Sequence, residues 1–192
     1  MKKLFICLII FTNCEYSVKT ILQLNYIFKI KFKKEKYAMT QTNKVQILPA
    51  KAEDTLQLAQ VYLHSRQETF PWVKHPTHSD FERDSKGELT LKAVLNDKIV
   101  GFISFYEQDN FVHLLFIDPE YMHLGIGRQL IDHVRQLATA PVILKCVRKN
   151  TNALAFYKAQ GFKIIGKSSW ESPAYFTLQD TRKEDYPHFK LR

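Results

Sequence analysis

The chain has 192 residues, of which 45% are hydrophobic and 24% charged, the balance of one ordinary globular domain with room for a core. Its formal charge of +9 is concentrated at the start: residues 1–38 hold eight lysines against Glu15 and Glu35, leaving the rest at +3 from 20 basic and 17 acidic residues. That removes the case for a nucleic-acid-binding surface on the domain, and Cys7, Cys14 and Cys146 show neither a CxxC nor a metal-ligand spacing, which excludes a disulfide framework and suits a reducing, cytoplasmic compartment.

The first segment is unusual. Lys2 and Lys3 precede an apolar run, Leu4 to Phe11, that looks like a short signal-peptide core. However, Thr12-Asn13-Cys14 is not a small-residue cleavage site, and the run is too short to cross a bilayer. By count, 24 of the 38 residues are Phe, Tyr, Met, Ile, Asn or Lys, the residues that AT-rich codons specify. Residues 1–38 are therefore expected to lie outside the domain, with translation starting at Met39 and the domain spanning 39–192; a signal-like membrane segment is the alternative.

Strands and helices then alternate. Val45 to Leu48 reads as a strand that Pro49 ends. Glu53 and Asp54 open a helix at the end its dipole favours for acids, with Leu56, Ala59, Tyr62 and Leu63 on one face. Pro71 and Pro76 force a loop, and a short helix follows near Ser79 to Arg83. Leu89–Leu95 and Lys98–Tyr106 form a hairpin around Asn96-Asp97, and Phe111–Ile117 adds a strand. A helix carrying Ile126, Leu130, Val134 and Leu137 inward comes next, then a strand at Val142–Val147. Asn150 to Gln160 forms a helix that Gly161 stops in a left-handed conformation. Phe162–Gly166 and Ala174–Leu178 complete an α/β fold with a mixed, mostly antiparallel central sheet flanked by helices.

Two stretches carry the chemistry. In "YMHLGIGRQLIDHV", Gly125 and Gly127 stand where a strand gives way to a helix. Glycine there lets backbone N–H groups approach an anion at a helix opening, or merely allows tight packing. No GxxxxGK[ST] is present, and a GxGxxG fingerprint fails at Leu130, so the common nucleotide folds are excluded. The second stretch is "KNTNALAFYKAQGF", in which Asn150 and Tyr157 are seven apart and share a helix side; Asn150 also suits the N-cap, and Tyr157 could be core.

In order and separation, "LLFIDPEYMHLGIGRQL" and "NTNALAFYKAQGF" resemble the GNAT superfamily of N-acetyltransferases, over roughly Val45 to Leu178. The resemblance implies a GNAT-like acyl-CoA N-acyltransferase fold, acetyl-CoA as co-substrate without a metal, and acetyl transfer to a primary amine of a small molecule or peptide N-terminus in a ternary complex. By its motifs, Leu124, Gly125, Ile126, Gly127 and Arg128 would hold the CoA pyrophosphate. The backbone of Leu114 to Ile117 (Leu115, Phe116 and Ile117 above all) would pair with the pantetheine arm. Asn150 would contact the cofactor, and Tyr157 would be the acid beside its sulfur. Met122 departs from the family's usual Gln or Arg, which removes a side-chain brace but no backbone donor.

These residue types suit the chemistry. A protonated amine must lose a proton before it attacks a thioester, and a strand N–H near Leu115 or Phe116 could stabilise the developing oxyanion, provided a bulge parts that strand from Val142–Val147. A phenol of pKa ~10 can serve the departing thiolate. His113, with an imidazole suited to neutral pH, is a candidate base that alternation would put on one face with Phe111, Leu115 and Ile117; Glu88 and a water relay are the alternatives. Following the resemblance, Phe70 and Trp72, with Glu88, would line the acceptor site. His75 and His78 look like a metal pair but lack a third ligand. Two rival readings stand beside the enzyme: a non-catalytic acetyl-CoA sensor or partner-binding module, for which Met122 is the hint, and a nucleic-acid or membrane protein driven by the N-terminal lysines. Oligomeric state is open, a homodimer included.

Overall fold

In the computed structural model the described residues are 44–169, 171–182 and 186; the reading of residues 1–38 lies outside them. Strand β1 (Gln46–Pro49) leads through a 3-10 turn at Ala52–Asp54 into helix α1 (Thr55–Thr69) and the short α2 (Ser79–Asp84). Strands β2 (Leu89–Leu95), β3 (Lys98–Tyr106) and β4 (Phe111–Ile117) follow, then α3 (Ile126–Leu137), β5 (Ile143–Val147), α4 (Thr151–Ala159), β6 (Phe162–Lys167) and β7 (Tyr175–Asp180). They form one seven-stranded sheet ordered β1-β2-β3-β4-β5-β7-β6, in which β4–β5 alone is parallel. Among the described residues no helix is long and apolar enough to cross a membrane.

Local chemistry explains most of the boundaries. Asn96 and Asp97 adopt positive φ of 51° and 60°, the conformation of a tight hairpin turn that these side chains tolerate. Gly161 stops α4 with a φ of +89°. Pro49 is the last residue of β1, opposite Leu91, a position it can hold because β1 is the sheet edge and needs no N–H on its outer side.

The sheet separates two cores. On one side α3 and α4 cover Leu91, Val100, Ile103, Phe105 and Leu144. On the other, α1 and α2 cover Ile99, Phe102 and Leu114, with Tyr62 and Phe81 pressed edge-on to Phe102. The inner face of α1 is Leu58, Val61, Tyr62 and Ser65. Leu56, expected there, is 74% exposed, since the helix phase is fixed by the bulkier Leu58–Tyr62 stripe. In α3 the last inward position passes from Leu137 to Ala138, with Ile131 and Arg135 also buried.

Arg135 is the largest fully buried side chain among the described residues. Its Nε donates to Asp180 Oδ2 on β7 at 2.5 Å, its Nη2 to the Gln160 carbonyl at 2.7 Å and its Nη1 to Asp132 at 2.6 Å. Tyr186 donates to the same Asp180 oxygen and accepts from the Val142 N–H. Removing one member of a buried pair strands its partner's charge, typically at a cost of about 3–5 kcal/mol. Asp180→Asn is expected to lower unfolding stability by about that amount, read as a fall in the urea midpoint at unchanged slope.

Candidate active site

The parallel ladder between β4 and β5 holds for two positions only, Phe111↔Ile143 and Val112↔Leu144. Beyond them β4 continues to Ile117 paired with β3 alone, and β5 continues to Val147 paired with β7. The pairing register shows which groups are left over. The Asp118 N–H donates to the Val100 carbonyl, so Phe116 and Leu114, two and four positions back, bond β3 in the same way, while Leu115 and Ile117 turn their groups toward β5. The Ile117 carbonyl accepts from Ser65 Oγ of α1 at 2.8 Å. The Leu115 N–H and carbonyl and the Ile117 N–H therefore line an open wedge, whereas the backbone of Phe116 is spent on β3.

A register shift at Ser104/Phe105 makes His113 the extra residue of a β4 bulge. The shift also breaks the alternation: Val112, Leu115 and Ile117 pack on the α3/α4 side, and Leu114 and Phe116 on the α1/α2 side. His113 does not share a face with Leu115 and Ile117, because a bulge inserts one residue and reverses the phase beyond it.

At the mouth of the wedge stands the first turn of α3. Gly125 is its N-cap at φ +76°, no side chain caps the turn, and the Ile126, Gly127 and Arg128 N–H groups have no acceptor within the helix. A Cβ built on Gly125 meets nothing within 4 Å, whereas one on Gly127 lies 3.2 Å from the Phe156 ring. The two glycines thus do different work: Gly125 supplies the left-handed turn beneath open space, and Gly127 lets α4 pack against α3. Leu124 is exposed, and Arg128 pairs with Asp132 at 3.5 Å on the surface. Met122 is exposed beside the loop.

Tyr157 is buried on the α3/α4 side between Phe156 and Phe162. Among the described residues its hydroxyl has no hydrogen-bond partner, and burial, helped by nearby Cys146, pushes its pKa above the ordinary phenol value. The same burial raises the Cys146 thiol to about 11, so that sulfur is not a thiolate nucleophile near neutral pH. Asn150 Oδ1 accepts from the Ala153 N–H at 3.1 Å and caps α4, which leaves its amide nitrogen as the group it can offer elsewhere.

The opposite face carries a polar chain. His113 Nδ1 lies 2.9 Å from Glu88 Oε1, and the other Glu88 oxygen accepts from Ser104 Oγ. Ser104 is fully buried. It was not singled out from the sequence, although a lone hydroxyl inside the apolar strand "IVGFISFY" is the signal that marks it. Phe70 packs on Phe116, and Trp72 packs edge-on to Phe70, both with centroids 5.3 Å apart. The loop bearing them is closed by Asp80, which accepts from the Thr77 N–H and from Arg66 and Arg83. Those bonds, the Thr77 N–H first, hold the Asp80 carboxyl well below its ordinary pKa. His78 is bonded to Gln60, and no group of three or more His, Cys, Asp or Glu side chains among the described residues is arranged to hold a metal ion.

A split sheet with strand groups left off the ladder, beside an uncapped glycine turn at a helix N-terminus, has the donors that suit an extended ligand with an anionic group. The chain belongs to the Acetyltransferase (GNAT) family, whose model matches residues 55–162. Over 130 residues it is 30% identical to the peptidyl-lysine N-acetyltransferase YjaB of Escherichia coli (strain K12), covering 65% of this chain and 86% of that relative. The solution structure of apo-form YjaB superposes with a TM-score of 0.60 at 25% identity over 71% of this chain and 97% of that one. The paia N-acetyltransferase of Thermoplasma acidophilum, solved in complex with coenzyme A, shares the fold at a TM-score of 0.61 and 19% identity, over 72% of this chain and 99% of that one. The protein is an acetyl-CoA-dependent N-acetyltransferase that moves an acetyl group to a primary amine.

If the Gly125 turn receives the CoA phosphates, Gly125→Glu is expected to reduce acetyl-CoA affinity about 100-fold or more in calorimetry, because its carboxylate would face them. Gly125→Ala carries the same left-handed strain, about 1–2 kcal/mol, without the charge, and keeps most of the affinity.

Proposed function

We propose that the acceptor is the side-chain amine of a lysine in a peptide or protein, and that the acetyl group passes to it directly within a ternary complex. The wedge between β4 and β5 carries this reading: the Leu115 and Ile117 groups face it and go unpaired with β5. The similarity to a peptidyl-lysine acetyltransferase supports the acceptor class. Acetyl-CoA, when bound, supplies an activated thioester. Leu124 to Arg128 hold its pyrophosphate on backbone N–H groups and the α3 dipole, and the Asn150 amide nitrogen adds a contact. The Leu115 N–H stabilises the carbonyl oxygen as charge builds there.

On the acceptor side Phe70 and Trp72 give the lysine stem apolar walls. His113 takes the ammonium proton, and Glu88, with both oxygens already engaged, orients the imidazole instead of binding the substrate charge. Tyr157 faces the sulfur. Because burial raises its pKa, the phenol stays protonated and acts by donating a hydrogen bond to the sulfur rather than by giving its proton up to a group as acidic as a thiol. A cytoplasmic setting and the domain span 39–192 belong to the same reading, which does not depend on whether the protein is a monomer or a homodimer.

Tyr157→Phe is expected to lower kcat about 10- to 100-fold, the worth of one charge-assisted hydrogen bond, with the KM for acetyl-CoA within about twofold; equal losses in both would mark the ring as structural. The active form of the phenol is the protonated one and its pKa is raised, so kcat should show no alkaline fall from this group up to about pH 10, the ordinary phenol value. Acceptor class is read by mass spectrometry on three substrates: an N-terminally blocked peptide with one lysine, a lysine-free peptide with a free N-terminus, and spermidine. Preferential acetylation of the first is expected, and preference for either of the others overturns the lysine assignment.

A further inference from the structure

We propose that Ser104 is a positioning residue for acetyl transfer: it holds Glu88 so that the other carboxylate oxygen fixes the His113 imidazole with Nε2 presented to the acceptor amine. This rests on the reading of His113 as the base.

Three elements distant in sequence converge to build the chain. Ser104 lies in the middle of β3, opposite Thr90 of β2 and Leu114 of β4, and is completely buried on the α1/α2 side of the sheet. Glu88 follows Gly87, whose φ of +79° turns the chain back toward β2. Its side chain is only 11% exposed, and a carboxylate at that depth needs its oxygens satisfied. Ser104 Oγ occupies one and His113 Nδ1 the other. His113, as the bulged residue of β4, is re-aimed out of the regular ladder and is 45% exposed, so it is the member of the chain that meets substrate.

The donor and acceptor roles follow in one direction. A carboxylate only accepts, so Ser104 O–H and His113 Nδ1–H both donate to it. That fixes the neutral imidazole in the tautomer whose Nε2 lone pair points away from Glu88. Of the charged groups around His113, Glu88 is the one bonded to it. Lys145 occupies the same face of the neighbouring β5, but its ammonium lies 4.8 Å over the Tyr175 ring. Ser104 has one hydrogen to give, and spending it on the carboxylate rather than on a strand carbonyl is what ties a core position to the site.

The proton balance is simple. An N–H bond of the ammonium breaks and its proton goes to His113 Nε2, leaving a neutral amine and an imidazolium stabilised by Glu88. The nitrogen lone pair forms the N–C bond, the C–S bond breaks, the second nitrogen proton ends on sulfur, and the imidazolium returns its proton to water. Ser104 takes part in none of these transfers; it limits the orientations open to Glu88, and through Glu88 those of the imidazole.

A double-mutant cycle on the full-length protein tests the assignment, with kcat and the KM for acetyl-CoA read for S104A, E88Q, S104A/E88Q, S104C and H113Q. S104A is expected to lower kcat about 5- to 30-fold, the effect of one lost hydrogen bond to a charged group, with KM within about twofold. In the E88Q background the same change should cost less than about twofold, since Ser104 then has no carboxylate to hold. S104C fills the space with a weaker donor and should fall between wild type and S104A; it carries the cycle if S104A does not fold. An equal loss in both backgrounds, or none in either, overturns the role of Ser104. H113Q with undiminished kcat overturns the base assignment, whereas H113Q impaired and S104A unimpaired removes Ser104 alone.

Discussion

The buried ion pair between Arg135 and Asp180 is the interaction on which the rest of the structure depends. A sheet whose two halves share only two ladder positions has little of its own to keep them in register, and the wedge that makes the site also weakens the fold. Arg135 resolves the conflict from below: it reaches from α3, which packs on β3 and β4, to Asp180 on β7 and the Gln160 carbonyl at the end of α4. Asn110 helps at the closed end, where its side chain accepts from the Thr139 and Ala140 N–H groups and its carbonyl accepts from the Ile143 N–H. The helix that braces the two halves is also the one whose uncapped first turn is proposed to hold the CoA pyrophosphate, so on that reading cofactor placement and sheet coherence depend on one element.

The two sides of the sheet divide the chemistry. Tyr157 and the glycine turn belong to the α3/α4 side, while His113, Glu88, Ser104 and the aromatic chain from Trp72 through Phe70 to Phe116 belong to the α1/α2 side. A closed sheet would keep these groups apart; on the proposed reading, the gap between β4 and β5 is where both sides reach one carbonyl. Ser65, hydrogen-bonded to the Ile117 carbonyl, anchors the free end of β4 to α1.

The sequence was legible wherever a local rule decided the outcome. Asn96-Asp97 announced the hairpin, Gly161 the left-handed helix stop and Asn150 the cap, each through chemistry contained in a few neighbouring residues. Leu56 and Leu137 were misplaced because apolarity alone does not set helix phase: the buried stripes run through Leu58 and Tyr62 in α1 and through Val134 to Ala138 at the end of α3. The bulge at His113 altered the face of every residue beyond it, which no period-two reading anticipates. Arg135 with Asp180, and Ser104 with Glu88 and His113, were hidden for another reason: the partners are far apart in sequence and meet only through the topology.

The Asp80 staple has a further implication. By pinning Thr77 and Arg66 it closes the loop between α1 and α2 at its base, leaving the stretch from Phe70 to Pro76 outside every strand ladder and on a different element from the Gly125 turn. On the proposed reading, the part of the molecule that holds the acetyl donor is thereby insulated from the part that chooses the recipient. Substitutions in that stretch could change the recipient without disturbing the donor site, so one scaffold of this kind can diversify into catalysts for many different amines.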